Sequence, residues 1–492
     1  MRSRNILIVV FLTWPWARGQ NAPRESIVLP DIDAALGGIR ATSLRGDLAF
    51  LASDLLEGRD SPSRGLDIAA EYIAGQFQIA GLEPGVAGSY FQSAKMMLVE
   101  PNLVNFELKL SQGAREVSVD AKDAVLDLKA AGDIDLKDAP LWKLDSSDEA
   151  SQVAGKVVIT ALDPELRAAN RNLRNARPLL TIVVDPKGKM THGTPSHRLE
   201  EMDQPRVGSP RITVTGEAAA RFYAALKPGL SGALITAHIE GPVRRPVTLR
   251  NVVGVLRGSD PALRETAVML TAHYDHLGMR AGGSGDRIYN GANDDGSGTV
   301  SVIAAARALA LLKQRPKRSI VFVTFFGEEE GLIGSQYYAR HPIWPLEKTV
   351  AQLNLEQVGR TDSTEGPQIS NATLTGFDYA DLTTYVQRAG TSTGIKIYKH
   401  ARNSDAYFAA SDNYSLAEAG VPAETLAVAF DYPDYHALGD EWQKIDYDNM
   451  AKVDRAVTLA VYLMANSAQP VHWNEANPKT AAFVRASRQL QP

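Results

Sequence analysis

Three textures of apolar and polar residues follow one another along the chain. Between 43 and 91 the apolar positions recur three and four apart, as in Leu44, Leu48 and Leu51 and again in Ala69, Ile73 and Phe77. That period predicts helices over 44–52 and 68–80. Turn-forming residues break them at Glu57-Gly58-Arg59-Asp60-Ser61-Pro62, and Gly81 stops the second, glycine being a favourable helix end. From 101 to 248 the apolar runs shorten to 104–108, 155–160, 180–184 and 211–214, with polar stretches between them and a helix over 217–226. This is the pattern of a β-rich second domain set into the first. From 250 onward, strand-like runs at 250–255, 267–272, 319–326, 349–355 and 421–428 alternate with helical ones at 299–312, 332–340, 411–420 and 447–464. The alternation predicts an α/β fold, a mostly parallel sheet flanked by helices in three layers and joined by right-handed crossovers.

Length and composition change this picture in a few places. The 492 residues suffice for two or three domains. Arg2 and Arg4 precede the apolar run Ile6 to Trp16, and Ala17-Arg18-Gly19 has the form of a cleavage site. We therefore expect a signal peptide at 1–19 and a secreted or periplasmic mature chain. The remaining divisions are expected at 20–100 and 249–468 for the main domain, 101–248 for the insert and 469–492 for a polar tail. A net charge of −5 gives no reason to expect nucleic acid or an anionic membrane as partner. No cysteine is present, so a bound metal must be held by histidine and carboxylate.

The candidate chemistry lies where the predicted strands end. His273, Asp294, Glu328, Glu329 and Glu356 follow apolar runs, and His436 lies in the loop after 421–428. Sheets of this kind carry their sites at the carboxyl ends of strands. Taken singly each piece is ordinary: Asn-Asp-Asp-Gly is turn chemistry, and a Glu triplet is usually solvated. Glu328 to Glu330, however, come straight after an apolar run, and all the pieces fall in one alternation. Two divalent ions about 3.5–4 Å apart can activate one water and polarise one carbonyl. Such a site needs one bridging carboxylate and further ligands for each ion, and His273, Asp294, Glu329, Glu356 and His436 supply that chemistry. Asp275, two residues after His273, is placed to orient its ring, through its carboxylate or its backbone. Glu328 and Glu329, being adjacent, should face different ways, one as ligand and one as general base. His192 and His197 fall in a polar loop and are expected to be solvated, and Arg59 is expected to be structural.

At these residues the chain resembles the double-zinc metallopeptidases that include secreted bacterial aminopeptidases and glutamate carboxypeptidase. The matching runs are T-A-H-Y-D at 271–275, N-G-A-N-D-D-G-S-G at 290–298, E-E-E-G-L-I-G-S at 328–335, N-L-E at 354–356 and Y-H at 435–436. L-E-G-R at 56–59 resembles the family's entry segment, and 101–248 is similar to its protease-associated insert. The resemblance implies a zinc exopeptidase sandwich holding two Zn²⁺ and acting on peptides. His273 and Glu356 would bind one ion, Glu329 and His436 the second, and Asp294 both, with a cis peptide after it. Glu328 would be the general acid/base, Asp275 the orienting group, and Tyr435 a stabiliser of the oxyanion. The secreted aminopeptidases usually carry Asp where this chain has Glu356. That departure keeps a carboxypeptidase or dipeptidase in view, with Lys399 or Arg402 reading a substrate carboxylate. It also keeps in view a mono-zinc enzyme resembling the glutaminyl cyclases, and loss of ligands in receptor-like relatives adds a non-catalytic binding module.

Overall fold

The computed structural model describes residues 30–490 apart from 129–131, 145–151, 187–196, 203–207, 281 and 283. The expected signal peptide and His192 lie outside the described residues. None of the described helices is long and apolar enough to cross a membrane.

Two sheets with separate cores organise the chain. In the larger, strands Ala423–Ala427, Thr349–Glu356, Ala267–His273 and Ser319–Phe325 lie side by side in that order and run parallel. The three longest are buried at every or nearly every position, as strands covered on both faces must be. Val243–Leu256, Phe91–Glu100 and Arg198–Glu201 extend the sheet antiparallel beyond Ser319–Phe325. Asn371–Leu374 pairs antiparallel on the other side. The sheet is therefore mixed, with a parallel centre where the alternation of strand and helix is strict. The antiparallel strand Val243–Leu256 leads on to Ala267–His273 through a segment that carries no helix.

The crossovers fix the layers. From Ala267–His273 the chain passes through helix Gly298–Ala310 to Ser319–Phe325 on one side. It then passes through helix Ile333–Arg340 back across to Thr349–Glu356 on the other. Right-handed crossovers in opposite directions put their helices on opposite faces. Gly298–Ala310 packs with Ala41–Leu51, Arg64–Ile79 and Tyr447–Asn466, while Ile333–Arg340 packs with Asn413–Glu418. The polar tail docks on the main domain. Helix Ala481–Leu490 buries Phe483 on Trp473, ring centroids 5.1 Å apart, and the Trp473 indole N–H donates to the Gly420 carbonyl.

The second sheet takes Glu107–Gln112, Ile134–Lys143, Val157–Ala161, Leu180–Asp185, Arg211–Thr215 and Gly229–Ile239, with two short edge strands. Its own core includes Leu110, Ile159, Ile182, Val214 and Ile235. The chain leaves the large sheet after Glu100 and returns at Val243 on the neighbouring strand, Val243 opposite Glu100. The return thus comes before residue 249, because Val243–Leu256 is one long strand. Arg198–Glu201 crosses back to the large sheet in mid-course, which brings His197 to the edge of the site.

Candidate metal centre

The parallel strands deliver their last residues to one edge. His273 ends Ala267–His273 and Glu356 ends Thr349–Glu356. Glu328 and Glu329 follow Ser319–Phe325 across Gly327 at φ +64°, and Asp294 lies in the turn that opens helix Gly298–Ala310. The Asp294–Asp295 peptide is cis. His436, at φ +52°, comes in on the loop after Ala423–Ala427.

These side chains form two linked groups. His273 Nε2 stands 3.3 Å from Asp294 Oδ1 and 3.6 Å from Glu356 Oε1. His436 Nε2 stands 3.1 Å from Asp294 Oδ2 and 3.2 Å from Glu329 Oε2. Asp294 thus turns one oxygen to each imidazole. Hydrogen bonds between imidazolium and carboxylate close to about 2.7–2.9 Å. Two donors about 2.0–2.1 Å from a shared ion, at the tetrahedral angle, stand about 3.3–3.4 Å apart. The observed spacings of 3.1 to 3.6 Å match the second geometry better than the first. No lysine or arginine is among the residues lining the cavity beside them. The donor set of imidazole and carboxylate fits bound zinc.

The supporting contacts are dense. His273 Nδ1 faces the Asp275 backbone carbonyl at 3.2 Å, closer than the Asp275 carboxylate at 3.5 Å. A carbonyl only accepts, so Nδ1 carries a proton, and Nε2 faces Asp294 and Glu356. Asp275 orients the ring chiefly through its backbone. Its carboxylate accepts the Glu328 N–H at 3.2 Å and the Ser61 hydroxyl at 3.4 Å. Ser411 donates to Glu356 Oε1 at 2.5 Å, and Asn354 donates to Ser411 at 2.8 Å. The longer side chain at 356 therefore reaches the histidine and is held there. Asp440 accepts the backbone N–H of Asn293 at 3.0 Å and of Asp294 at 3.1 Å, and the Tyr432 hydroxyl at 2.9 Å. Asp295 accepts from the N–H of Gly298 at 3.0 Å and of Gln357 at 3.1 Å. A Cβ at Gly298 would overlap the Asp295 carboxylate, which explains the glycine there.

Environment separates the two adjacent glutamates. Burial is the largest influence on Glu328. Supported by Glu356 and Glu329 and opposed by His273, it raises the carboxyl well above the usual range. Burial and Asp294 act the same way on Glu329, but hydrogen bonds from His276 and His436 hold it at about 2. Glu328 lines the cavity, with Oε2 3.9 Å from His273 Nε2. Of the two neighbours, Glu328 thus binds a proton more readily than Glu329. Tyr435 lines the same cavity, its ring stacked on His436 with centroids 4.0 Å apart.

Several residues of the site carry no mark in the sequence pattern. His276 donates from Nδ1 to Glu329 Oε1 at 2.7 Å, a true hydrogen bond, and its ring is fully buried. It is visible only as a second histidine three residues after the first. Arg59, expected to be structural, is 1% exposed and joins both halves of the site. Its guanidinium donates to the carbonyls of Tyr274 at 2.8 Å, Asn290 at 2.8 Å and Gly291 at 2.9 Å, and to Leu51. Burial draws its pKa down to about 10, against the pull of Asp275, Asp440, Asp294 and Asp295. The expectation for His197 is overturned. Its side chain is 10% exposed, with Nε2 2.7 Å from the Ser61 carbonyl and 3.4 Å from Glu330, because Arg198–Glu201 carries it onto the large sheet. Lys399 pairs with Asp378 and Arg402 bonds to Asn403, and neither lines the cavity.

Comparison with known proteins adds the following. Residues 251–461 match peptidase family M28. "Leucine aminopeptidase 1" of Sclerotinia sclerotiorum is 29% identical over 216 residues, 42% of this chain and 54% of that protein. The chain thus spans about half the length of that relative. An aminopeptidase from Aneurinibacillus sp. strain AM-1 superposes with a TM-score of 0.60 at 19% identity, over 91% of this chain and 97% of that one. A zinc aminopeptidase from Bacillus subtilis does so with a TM-score of 0.56 at 20% identity, over 86% and 95%. At such identities these two structures establish the fold.

Proposed function

We propose, from the match of residues 251–461 to peptidase family M28, that the chain is an exported zinc-dependent exopeptidase removing residues from the amino ends of peptides. The observation that carries the choice of end is the charge of the cavity. About 310 Å³ is bounded by Asp294, Glu328, Glu356 and Asp431, with no lysine or arginine among the lining residues. Such a lining offers no side-chain cation to receive a free substrate carboxylate, which a carboxypeptidase would need.

In this reading His273, Asp294 and Glu356 hold one zinc, and Asp294, Glu329 and His436 the second. Zinc bound there lowers the pKa of water and polarises the scissile carbonyl. Glu328 takes the proton of the attacking water on its carboxylate and returns it to the leaving amine. Its position on the cavity wall and its raised affinity for a proton support that role. The Tyr435 hydroxyl, which burial and the nearby Asp294, Glu329 and Glu328 carboxylates keep protonated, is available to donate to the developing oxyanion. Asp275 and Ser411 orient His273 and Glu356, and the 107–239 sheet is an inserted domain.

The test is a panel offered to the zinc-loaded full chain: aminoacyl amides with a free amine, N-blocked peptides with a free carboxylate, and N-terminal glutaminyl peptides. Cleavage of the first set alone, abolished by chelator, is expected. Cleavage of the blocked set would make the enzyme a carboxypeptidase. Ammonia release from the glutaminyl set without cleavage would make it a cyclase.

A further inference from the structure

Besides the metal ligands the cavity has one aromatic wall and, among the described residues, one charge without a partner. The rings of Tyr407 and Phe430 stack with centroids 5.1 Å apart and planes 20° apart, and both line the cavity. The backbone that carries Phe430 is pinned. Its N–H donates to the Glu365 carboxylate. With its amide nitrogen turned toward that loop, Gln357 donates to the Ala429 carbonyl at 2.8 Å and the Phe430 carbonyl at 3.1 Å. Asp431, the next residue, lines the cavity from an exposed position. Among the described residues nothing forms an ion pair or hydrogen bond with its carboxylate. The cations near this loop have other partners: Arg360 bonds Asp362 and Asp434, and Lys444 bonds Asp434. The remaining carboxylates of the cavity face histidines.

We propose that this end of the cavity is a subsite for a basic side chain on the first residue of the peptide, lysyl or arginyl, its stem lying along Tyr407 and Phe430 and its charge meeting Asp431. The proposal rests on the aminopeptidase reading and adds the class of residue removed. The physical case has three parts. A lysine or arginine stem is apolar over several carbons and packs on an aromatic face while its head stays near water. A cation beside an aromatic ring gains about 0.5–1 kcal/mol at exposed sites. A partly exposed ion pair adds up to about 1 kcal/mol. Together these correspond to a preference of roughly two- to thirtyfold over an uncharged side chain of the same shape. The wall is fixed before substrate arrives, so little ordering is needed on binding.

The experiment compares kcat/KM of the zinc-loaded full chain for lysyl, arginyl, norleucyl and glutamyl amides, norleucine keeping the lysine stem without its charge. The expected result is lysyl above norleucyl by roughly two- to thirtyfold, shrinking with salt. In Asp431→Asn the lysyl-to-norleucyl ratio falls to the roughly two- to fivefold that the aromatic contact alone supplies, and in Asp431→Arg glutamyl overtakes lysyl. Equal rates for lysyl and norleucyl in the unaltered chain would overturn the subsite while leaving the aminopeptidase reading intact. So would a fall of both by the same factor in Asp431→Asn, which would assign Asp431 to the α-amine. Failure to cleave any free-amine substrate, with cleavage of N-blocked ones, would overturn the aminopeptidase reading and the subsite with it.

Discussion

Replacing Arg59 by lysine keeps the charge and removes the fork, and the cost can be worked from the contacts. Arg59 donates to four backbone carbonyls, of Leu51, Tyr274, Asn290 and Gly291. A lysine nitrogen concentrates its three donors at one point. It cannot face Tyr274 on one side and Asn290 and Gly291 on the other, so about two of the carbonyls lose their partner. A buried acceptor left unsatisfied costs about 1–3 kcal/mol, which gives about 2–6 kcal/mol. A domain of this kind has about 5–15 kcal/mol in all. The carbonyls belong to residues next to His273 and shortly before Asp294, so zinc affinity should weaken as well, by tenfold or more. The assay is urea unfolding of the metal-free chain, reading a shift of midpoint at constant slope, followed by a zinc competition titration. A loss below about 1 kcal/mol with unchanged zinc affinity would refute the idea that Arg59 clamps the two halves together.

Three further expectations follow from the same contacts. Glu328→Gln should lower kcat by about 10²–10⁴ at unchanged zinc content, and a loss under about tenfold in a steady-state assay would remove Glu328 from proton transfer. Ser411→Ala deletes the hydrogen bond to Glu356 Oε1 and should weaken zinc by about 10–100-fold, whereas a competition titration within about threefold of the unaltered chain would contradict it. Asp454, on helix Tyr447–Asn466, is buried with both oxygens unpartnered, and burial lifts its carboxyl to about 7 against the opposing Ser301 and Arg455. The folded chain then holds a proton that the unfolded chain, at about 3.9, releases, so stability falls as pH rises between about 4 and 7. Asp454→Asn should remove that fall and gain up to about 4 kcal/mol at pH 8 but little at pH 4, and an equal gain at both pH values by urea unfolding would show that burial of this charge is not the cause.

What the chain discloses before folding depends on how local the determinant is. The parallel centre is legible because strands buried on both faces read as unbroken apolar runs, as in Ser319–Phe325, and because crossover helices separate them. The antiparallel flank is not. Val243–Leu256 begins with Val243-Arg244-Arg245-Pro246, whose exposed half carries no apolar alternation, so the strand's true start is hidden. The site residues stand at strand ends, which a run of apolar residues marks directly. His276 and Asp440 act through partners 53 residues away, Glu329, and 146 residues away, Asp294, and no spacing rule reaches that far. His197 illustrates the same limit. Its loop is polar, and only the return of Arg198–Glu201 to the large sheet buries it. The spacing of Asp275 from His273 points to an orienting residue, but only the fold decides that its carbonyl faces the ring while its carboxylate faces the Glu328 N–H.

The measurement that bears most directly on the central claim is zinc per chain after loading and removal of free metal, for the unaltered chain and for His436→Ala. Two ions sharing Asp294 predict about two zinc ions per chain in the first and about one in the second, with His273, Asp294 and Glu356 retaining theirs. One zinc in the unaltered chain, or two in both, would contradict a shared two-metal centre built on these residues.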